Sequence, residues 1–368
     1  MKVIHILHSL KFSGAEIMYV DAAPFFQKKG CKLTVMATAT ELGEYALFFE
    51  RAGYKVIHQP MPSLKNYISR IKFYTSMIRL LKKEEFEVVH IHSSIAMWGL
   101  SLCAWIVNIK SVYTFHAVFP TRLLTYPYHC LIRWSAKTIF KCRFQTISDS
   151  VYDHELKLYH NKTTKVYNWY GNTRFFPALV KEKFDVRKEL GIDEQTLVLI
   201  SIGGCNHNKR HVDIIKALPL ILNKIPDTLY LHLGKGCTES EEIKMANDLG
   251  VVNQIRFCGN QEFVRKYLIA ADVYLMTSFF EGISITTIEA MACNIPTILY
   301  DVPGLRDFNK QGKNSILIPA DYRLLAEAVI KLGANKKLAL EMAVRAKKTV
   351  DILYNMRNNA TEIYNLYL

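Results

Sequence analysis

The chain has no hydrophobic run long enough to span a membrane. Its most extended apolar stretch, Ile95 to Asn108, covers about 14 residues, short of the ~20 a helix needs to cross a bilayer. It reads as a buried helix or as an interfacial segment. The opening MKVIHILHSLKFSG lacks a signal peptide's cleavage site and reads as a short strand and a loop. The eight cysteines stand singly, never as Cys-x-x-Cys, which argues against a zinc ribbon or a disulfide framework. Reduced thiols in a cytosolic chain are the expectation. No nucleic-acid signature is present either, and the basic residues are dispersed among helical stretches, so nucleic acid is not an expected partner.

What the chain does have is length, apolar content and lopsided charge. With 368 residues, half of them hydrophobic, it suits two domains with sizeable cores. The formal charge is +14, and through Tyr170 there are 22 Lys and Arg against 11 Asp and Glu, so that stretch holds +11 of it. Anionic lipid headgroups are a fitting partner for such a surface, at about 1 kcal/mol per nearby Lys or Arg. A merely solubilising basic face is the other reading.

Short apolar runs alternate with amphipathic stretches along the whole sequence. VIHIL, KLTVMA, KVIHQ, FEVVHIH, SVYTFH, RFQTIS and TKVYN read as strands, with helical periodicity between most of them, as in Ala15 to Lys29 and Asn66 to Glu84. LVLISIGG, TLYLHLG, QIRFCG, DVYLMT, PTILY and SILIPA form a second series. Strand, helix, strand repeated this way predicts an α/β chain with doubly wound parallel sheets, whose ligands gather at the carboxyl ends of the strands. Asn168, Gly171, Asn172 and Pro177 break regular structure between the two series and place a boundary near 172.

The densest chemistry lies in Ser278 to Asp301, SFFEGISITTIEAMACNIPTILYD. A helix beginning near Ile283 leaves Glu281 in the loop at its positive end and Glu289 near two turns in. The amides of Gly282, Ile283, Ser284 and Ile285 then form an anion-binding start, on which a diphosphate can rest while the two carboxylates take sugar and ribose hydroxyls. The competing reading makes both acids solvated positions on a surface helix. Upstream, the loop Gly203 to His211 ends in Lys209 and Arg210 before a helix at Val212, and a basic helix start opposes the dipole unless an anion is bound. Gly14, in the turn Phe12 to Glu16, opens another helix whose amides can approach a phosphate or a sugar. His90 and His92 share one face of a strand, so a metal pair is geometrically possible, but no third ligand is evident and structural or substrate-contact roles compete. His116 ends the next strand.

Together these stretches resemble the retaining glycosyltransferases of family 4. Ser278 to Asp301 resembles that family's Glu-x7-Glu signature, with Ser before the first Glu, then Glu-Ala-Met-Ala, a Pro and a strand. Ser13-Gly14-Ala15-Glu16 resembles its Gly-Gly-Ala-Glu turn with Ser13 in place of the first glycine, Thr114-Phe115-His116 its Thr-x-His, Lys209 its diphosphate-binding lysine, and Gly234-Lys235-Gly236 its Gly-x-Gly turn. The family's arginine after the loop glycine is replaced by Gly204, and Arg210 is the candidate substitute.

The resemblance implies a GT-B fold, two Rossmann-like doubly wound parallel-sheet domains facing across a cleft. Residues 1–172 would take the acceptor, 173–348 the nucleotide-sugar donor, and 349–368 would return to the first domain. It further implies a retaining hexosyl transfer in which Glu281 orients the sugar, Glu289 holds the ribose, Lys209 holds the diphosphate and His116 faces the sugar, while Gly14 supplies the phosphate-proximal turn and Gly203 the donor loop. No metal and no cofactor are implied, since Lys209 and the helix start supply the positive field and the donor, a UDP- or GDP-sugar, is a substrate. The acceptor would be a glycan or a polyprenol-diphosphate-linked acceptor in bacterial capsule, O-antigen or exopolysaccharide assembly. The protein would then be peripheral on the inner face of the cytoplasmic membrane. A nucleotide-sugar epimerase of the same architecture and a non-catalytic nucleotide-sugar-binding homologue, suggested by Ser13 and Gly204, are the alternatives.

Overall fold

The computed structural model describes residues 1–118 and 123–368. The chain divides into two compact units, Met1–Trp169 together with Met356–Leu368, and Tyr170–Asn355. The break falls just before the expected position 172. The helix Lys336–Leu353 runs through position 349 as part of the second unit, so the chain rejoins the first unit only at Met356.

The first unit is built on β1 (Lys2–Leu7), β2 (Lys32–Ala37), β3 (Lys55–His58), β4 (Val88–Ile91), β5 (Lys110–Phe115), β6 (Arg143–Thr146) and β7 (Thr164–Lys165). These pair in the order β3-β2-β1-β4-β5-β6-β7. The second has β8 (Leu197–Ile202), β9 (Thr228–Leu233), β10 (Ile255–Gly259), β11 (Val273–Met276), β12 (Thr297–Tyr300) and β13 (Ile316–Ile318), in the order β10-β9-β8-β11-β12-β13. All pairings between named strands are parallel among the described residues. Helices cover both faces of such sheets, so the strands are near-continuous apolar runs rather than alternating ones. Strand order reverses between β1 and β4, and between β8 and β11. Those two switch points open crevices beyond the strand ends, where ligands bind in this class of sheet.

The polar exceptions inside the strands carry structure. His5 on β1 pairs in register with His90 on β4, and both are fully buried. Tyr367, in the C-terminal helix Met356–Tyr367, lies 2.7 Å by its hydroxyl from His90 Nδ1, and His90 Nε2 lies 2.8 Å from Thr114 Oγ1. Thr114 in turn donates to Gln145 Oε1, whose amide donates to the Val166 carbonyl at 2.8 Å. Because the Thr114 hydroxyl is used as a donor, His90 must donate from Nε2 and accept from Tyr367 at Nδ1. One buried chain of hydrogen bonds therefore runs from the last helix across three strands, and both ring nitrogens of His90 are occupied.

The apolar run at 95–108 forms the helix Met97–Ile106, mostly buried, with Trp98, Trp105 and Ile106 part-exposed. Among the described residues no helix is long and apolar enough to cross a membrane. All eight cysteines are free thiols.

Candidate functional site

At the switch point of the second unit, β8 runs into the loop from Gly203 to Arg210 and β11 into the loop from Thr277 to Ser284. The two loops are zipped together by backbone and amide hydrogen bonds. The Phe279 N–H donates to the Asn208 carbonyl at 2.8 Å, and the Asn208 side chain donates to the Phe280 carbonyl at 3.0 Å. Thr277 Oγ1 caps the Lys209 and Arg210 carbonyls at 2.9 and 3.1 Å. Asn206 Oδ1 accepts from the amides of Asn208 and Lys209 at 3.0 and 3.2 Å, the local turn that aims Lys209.

These contacts bring Lys209 Nζ to 2.7 Å from Glu281 Oε1, and Ser278 Oγ donates to the same oxygen at 2.6 Å. The side chains of Lys209 and Glu281 are only 19% and 14% exposed, so the pair works in a setting where charge interactions exceed their strength in bulk water. The Glu281 N–H donates to the Pro303 carbonyl at 3.0 Å, and Gly304 allows this because a Cβ there would meet the Glu281 carbonyl oxygen at 2.4 Å. Gly203 lies beneath Lys209, where a Cβ would sit 3.1 Å from Lys209 Cε.

The helix beside this pair is Ile285–Ala292, starting two residues later than Ile283 because Ser284 is its cap, accepting from the Thr287 N–H at 3.2 Å. The first-turn amides of Ile285 and Thr286 have no intrahelical partner by the geometry of a helix start. Gly282 thus belongs to the loop, Ile283, Ser284 and Ile285 are buried, and Glu289 stands in the second turn at 5% exposure. Neither Glu281 nor Glu289 is a solvated surface carboxylate.

Arg210 departs from expectation. It takes a left-handed conformation at the cap of the helix His211–Leu222, with φ 51°, and its Nε lies 2.7 Å from Asp213 Oδ2. Its guanidinium stacks 4.3 Å from the Phe279 ring centroid. The acid three residues on, in the first turn of the same helix, draws it away from Glu281, so the structure does not join Arg210 to the Lys209–Glu281 pair.

In the first unit, Gly14 opens the helix Gly14–Lys28 and Ser13 is its cap residue. The Ser13 hydroxyl donates to Glu16, whose carboxyl burial raises to about 7. His116, half-buried past the end of β5, has Nε2 2.9 Å from His92 Nδ1, and His92 Nε2 is 3.2 Å from His5 Nδ1. Burial pushes His116 down to about 4 and His5 to about 3, so this row of rings is neutral near pH 7. The third histidine beside His90 and His92 is His5, from β1. The parallel register brings it there, and only strand pairing, not spacing, could have revealed it. With both His90 nitrogens committed to Tyr367 and Thr114, a His90–His92 metal pair is not what the rings are arranged for. The described contacts thus gather Lys209, Glu281, Gly203 and the Gly282–Ile285 segment in one unit, and Gly14 and His116 in the other.

Two family models match. "Glycosyltransferase Family 4" matches residues 12–170 and "Glycosyl transferases group 1" residues 182–349. Among curated proteins, the N-acetyl-alpha-D-glucosaminyl L-malate synthase of Bacillus anthracis is 25% identical over 287 residues, covering 75% of this chain and 73% of that protein. The UDP-Gal:alpha-D-GlcNAc-diphosphoundecaprenol alpha-1,3-galactosyltransferase of Escherichia coli is 24% identical over 322 residues, covering 84% and 82%. Among solved structures, Anabaena Alr3699/HepE in complex with UDP and glucose superposes with a TM-score of 0.82 at 17% identity, over 99% of this chain and 98% of that one.

Proposed function

The chain belongs to the family 4, group 1 glycosyltransferases and has their GT-B fold, and from that premise we propose that it transfers a sugar, with retention, from a nucleotide sugar to a glycan acceptor. The observation that carries this reading is the Lys209–Glu281–Ser278 cluster at the second switch point, beside the capped start of Ile285–Ala292. A lysine ammonium has three N–H donors. One meets Glu281, and two remain for the oxygens of a diphosphate resting on the helix amides.

In the step proposed, the bond from the anomeric carbon to the β-phosphate oxygen breaks and a bond to the acceptor oxygen forms on the same face. The acceptor proton passes to the departing phosphate, so no protein base is needed. Negative charge grows on the diphosphate, where Lys209 and the helix start oppose it most effectively because they are fixed in place beforehand. Glu281 orients the sugar hydroxyls and Glu289 the ribose. We assign the donor to the second unit and the acceptor to the first, whose His116 is given the sugar-facing role and Gly14 the phosphate-proximal turn. We assign no divalent cation to the leaving group.

UDP in the Anabaena structure and UDP-Gal in the name of the E. coli relative support a uridine donor. The diphosphoundecaprenol of that name supports a polyprenol-diphosphate-linked acceptor and a place in surface polysaccharide assembly. The test is binding and slow hydrolysis of UDP-, GDP- and ADP-sugars by the purified protein, with and without added Mg2+, and with Glu289→Ala alongside. One donor bound, with Mg2+-independent hydrolysis that is lost in the variant, is expected. No binding across the panel would overturn the reading, and an isomeric sugar nucleotide formed without acceptor would favour an epimerase.

Peripheral attachment to an anionic membrane face belongs to the same reading. The basic first unit carries exposed apolar side chains at Tyr67, Ile68 and Ile71 on the helix Tyr67–Lys83, and at Tyr128, Leu131 and Trp134 on the helix Tyr126–Thr138. Sedimentation with phosphatidylglycerol vesicles at low salt, lost at high salt, is expected. Salt-independent binding would point instead to an inserted apolar segment, and no binding at any salt would remove the membrane from the account.

A further inference from the structure

A second cluster, with no part in the transfer step, lies inside the donor unit. Cys205 follows β8, His232 is on β9, His211 opens the helix His211–Leu222, and Glu242 lies in the helix Glu239–Asp248. None of the four is more than 2% exposed. Their ligating atoms lie within 4.8 Å of one another.

We propose that Cys205, His211, His232 and Glu242 bind one Zn2+ that ties both ends of the Lys209 loop to the sheet. The geometry carries it. His232 Nε2 lies 3.0 Å from His211 Nδ1, 2.9 Å from Glu242 Oε2 and 4.0 Å from Cys205 Sγ, and His211 Nδ1 lies 3.6 Å from Glu242 Oε1. A tetrahedral zinc ion with bonds of about 2.0–2.1 Å to N and O and about 2.3 Å to S spaces its ligands about 3.3–3.6 Å apart. The observed separations bracket that range.

Hydrogen bonding alone leaves the cluster poorly matched. Glu242 Oε2 is 2.9 Å from an imidazole nitrogen yet makes no aligned hydrogen bond among the described residues. The outward nitrogens, His211 Nε2 and His232 Nδ1, have no hydrogen-bond partner among them either, so the cluster's interactions lie on its inward side. A buried carboxylate in that position calls for a counter-charge.

The donor chemistry selects the ion. One thiolate, two imidazoles and one carboxylate suit zinc better than magnesium or calcium, and the two anionic ligands cancel its charge in a buried site. Binding forms one Zn–S bond and releases the thiol proton to solvent. Behind the ligands, Thr238 Oγ1 donates to Glu242 Oε1 at 2.7 Å, and the Cys205 N–H donates to the Lys235 carbonyl at 3.0 Å. Because Cys205 and His211 flank Asn206–Arg210, the ion would hold the segment that aims Lys209.

The experiment is metal analysis of untagged protein purified without chelator. About one zinc per chain is expected, and after exchange Co2+ should give the thiolate charge-transfer band and the intense visible bands of a tetrahedral site. Cys205→Ser, checked for folding by circular dichroism, should lose the charge-transfer band. Glu242→Gln should keep it while binding Co2+ more weakly than wild type. Stripped protein should bind a nucleoside diphosphate less tightly than the zinc form. Wild-type protein that holds no zinc and gives no tetrahedral Co2+ spectrum would overturn the site without recourse to any variant. An unchanged band in Cys205→Ser would place the metal elsewhere, and equal nucleotide affinity with and without zinc would overturn its role in the loop.

Discussion

Lys209→Ala is expected to lower kcat/KM by about a hundred- to a thousand-fold, the loss that follows removal of one preorganised donor from a site of developing charge. Most of the loss should fall in kcat, because the diphosphate is more negative as it leaves than while it is bonded to the sugar. The fold should survive. Glu281 keeps its bond from Ser278 and its backbone tie to Pro303. Loss of a part-buried ion pair costs about 1–3 kcal/mol, between the values for surface and fully buried pairs. A variant with kcat/KM within threefold of wild type would remove Lys209 from the mechanism.

The ion pair itself offers a competing explanation, in which Lys209 does nothing but hold Glu281 in place. Under that alternative, Lys209→Met and Glu281→Gln would lose the same activity, and the double variant no more than either. The leaving-group role predicts a split instead. Affinity for the nucleoside diphosphate product should fall in Lys209→Met and change little in Glu281→Gln, since only the lysine is assigned to that product.

The same contacts show what could be read from the sequence and what could not. Every run that reads as a strand contains one, most of them because strands covered on both faces need near-continuous apolar runs such as VVHI and TILY, whereas TKVYN keeps only the exposed pair Thr164–Lys165. The loop carrying Lys209 and the one carrying Glu281 were both legible, since each follows such a run. Details decided by one side chain were not. The helix near Glu281 starts at Ile285 because Ser284, and not Gly282, has a hydroxyl that can cap it. Arg210 turns to Asp213, a choice that depends on the left-handed backbone at its own position. His5 joins His90 and His92, and Cys205 joins His211, His232 and Glu242, only once parallel strands and their helices are placed side by side. Beyond the spacing of His90 and His92, neither cluster has a local pattern to betray it.

The second large effect is expected at Gly234, where two separate costs coincide. Its φ is +140°, which side-chain-bearing residues rarely adopt, and a Cβ there would fall 1.9 Å from the Gly203 carbonyl oxygen. Two other glycines separate the costs. Gly250 has φ +68° with nothing within 4 Å of its Cβ position, so Gly250→Ala tests backbone strain alone, at about 1–2 kcal/mol. Gly236 has a Cβ position 2.1 Å from the Cys205 carbonyl oxygen without a left-handed φ, so Gly236→Ala tests close approach alone, at about 1–3 kcal/mol. Gly234→Ala should approach the sum, roughly 2–5 kcal/mol in urea unfolding. Its obstacle is backbone rather than a side-chain tip that can swing aside, so relief requires the Gly203 strand end to move. That strand end leads directly to Lys209, and a shift of about 1 Å in a catalytic group costs on the order of a hundredfold in rate. Gly234→Ala should therefore lose turnover even under conditions where it remains folded, whereas Gly250→Ala should keep it. Equal stability losses in Gly234→Ala and Gly250→Ala would mean that the two loops do not press on one another, and Lys209 would then owe its position to the Asn206, Asn208 and Thr277 contacts.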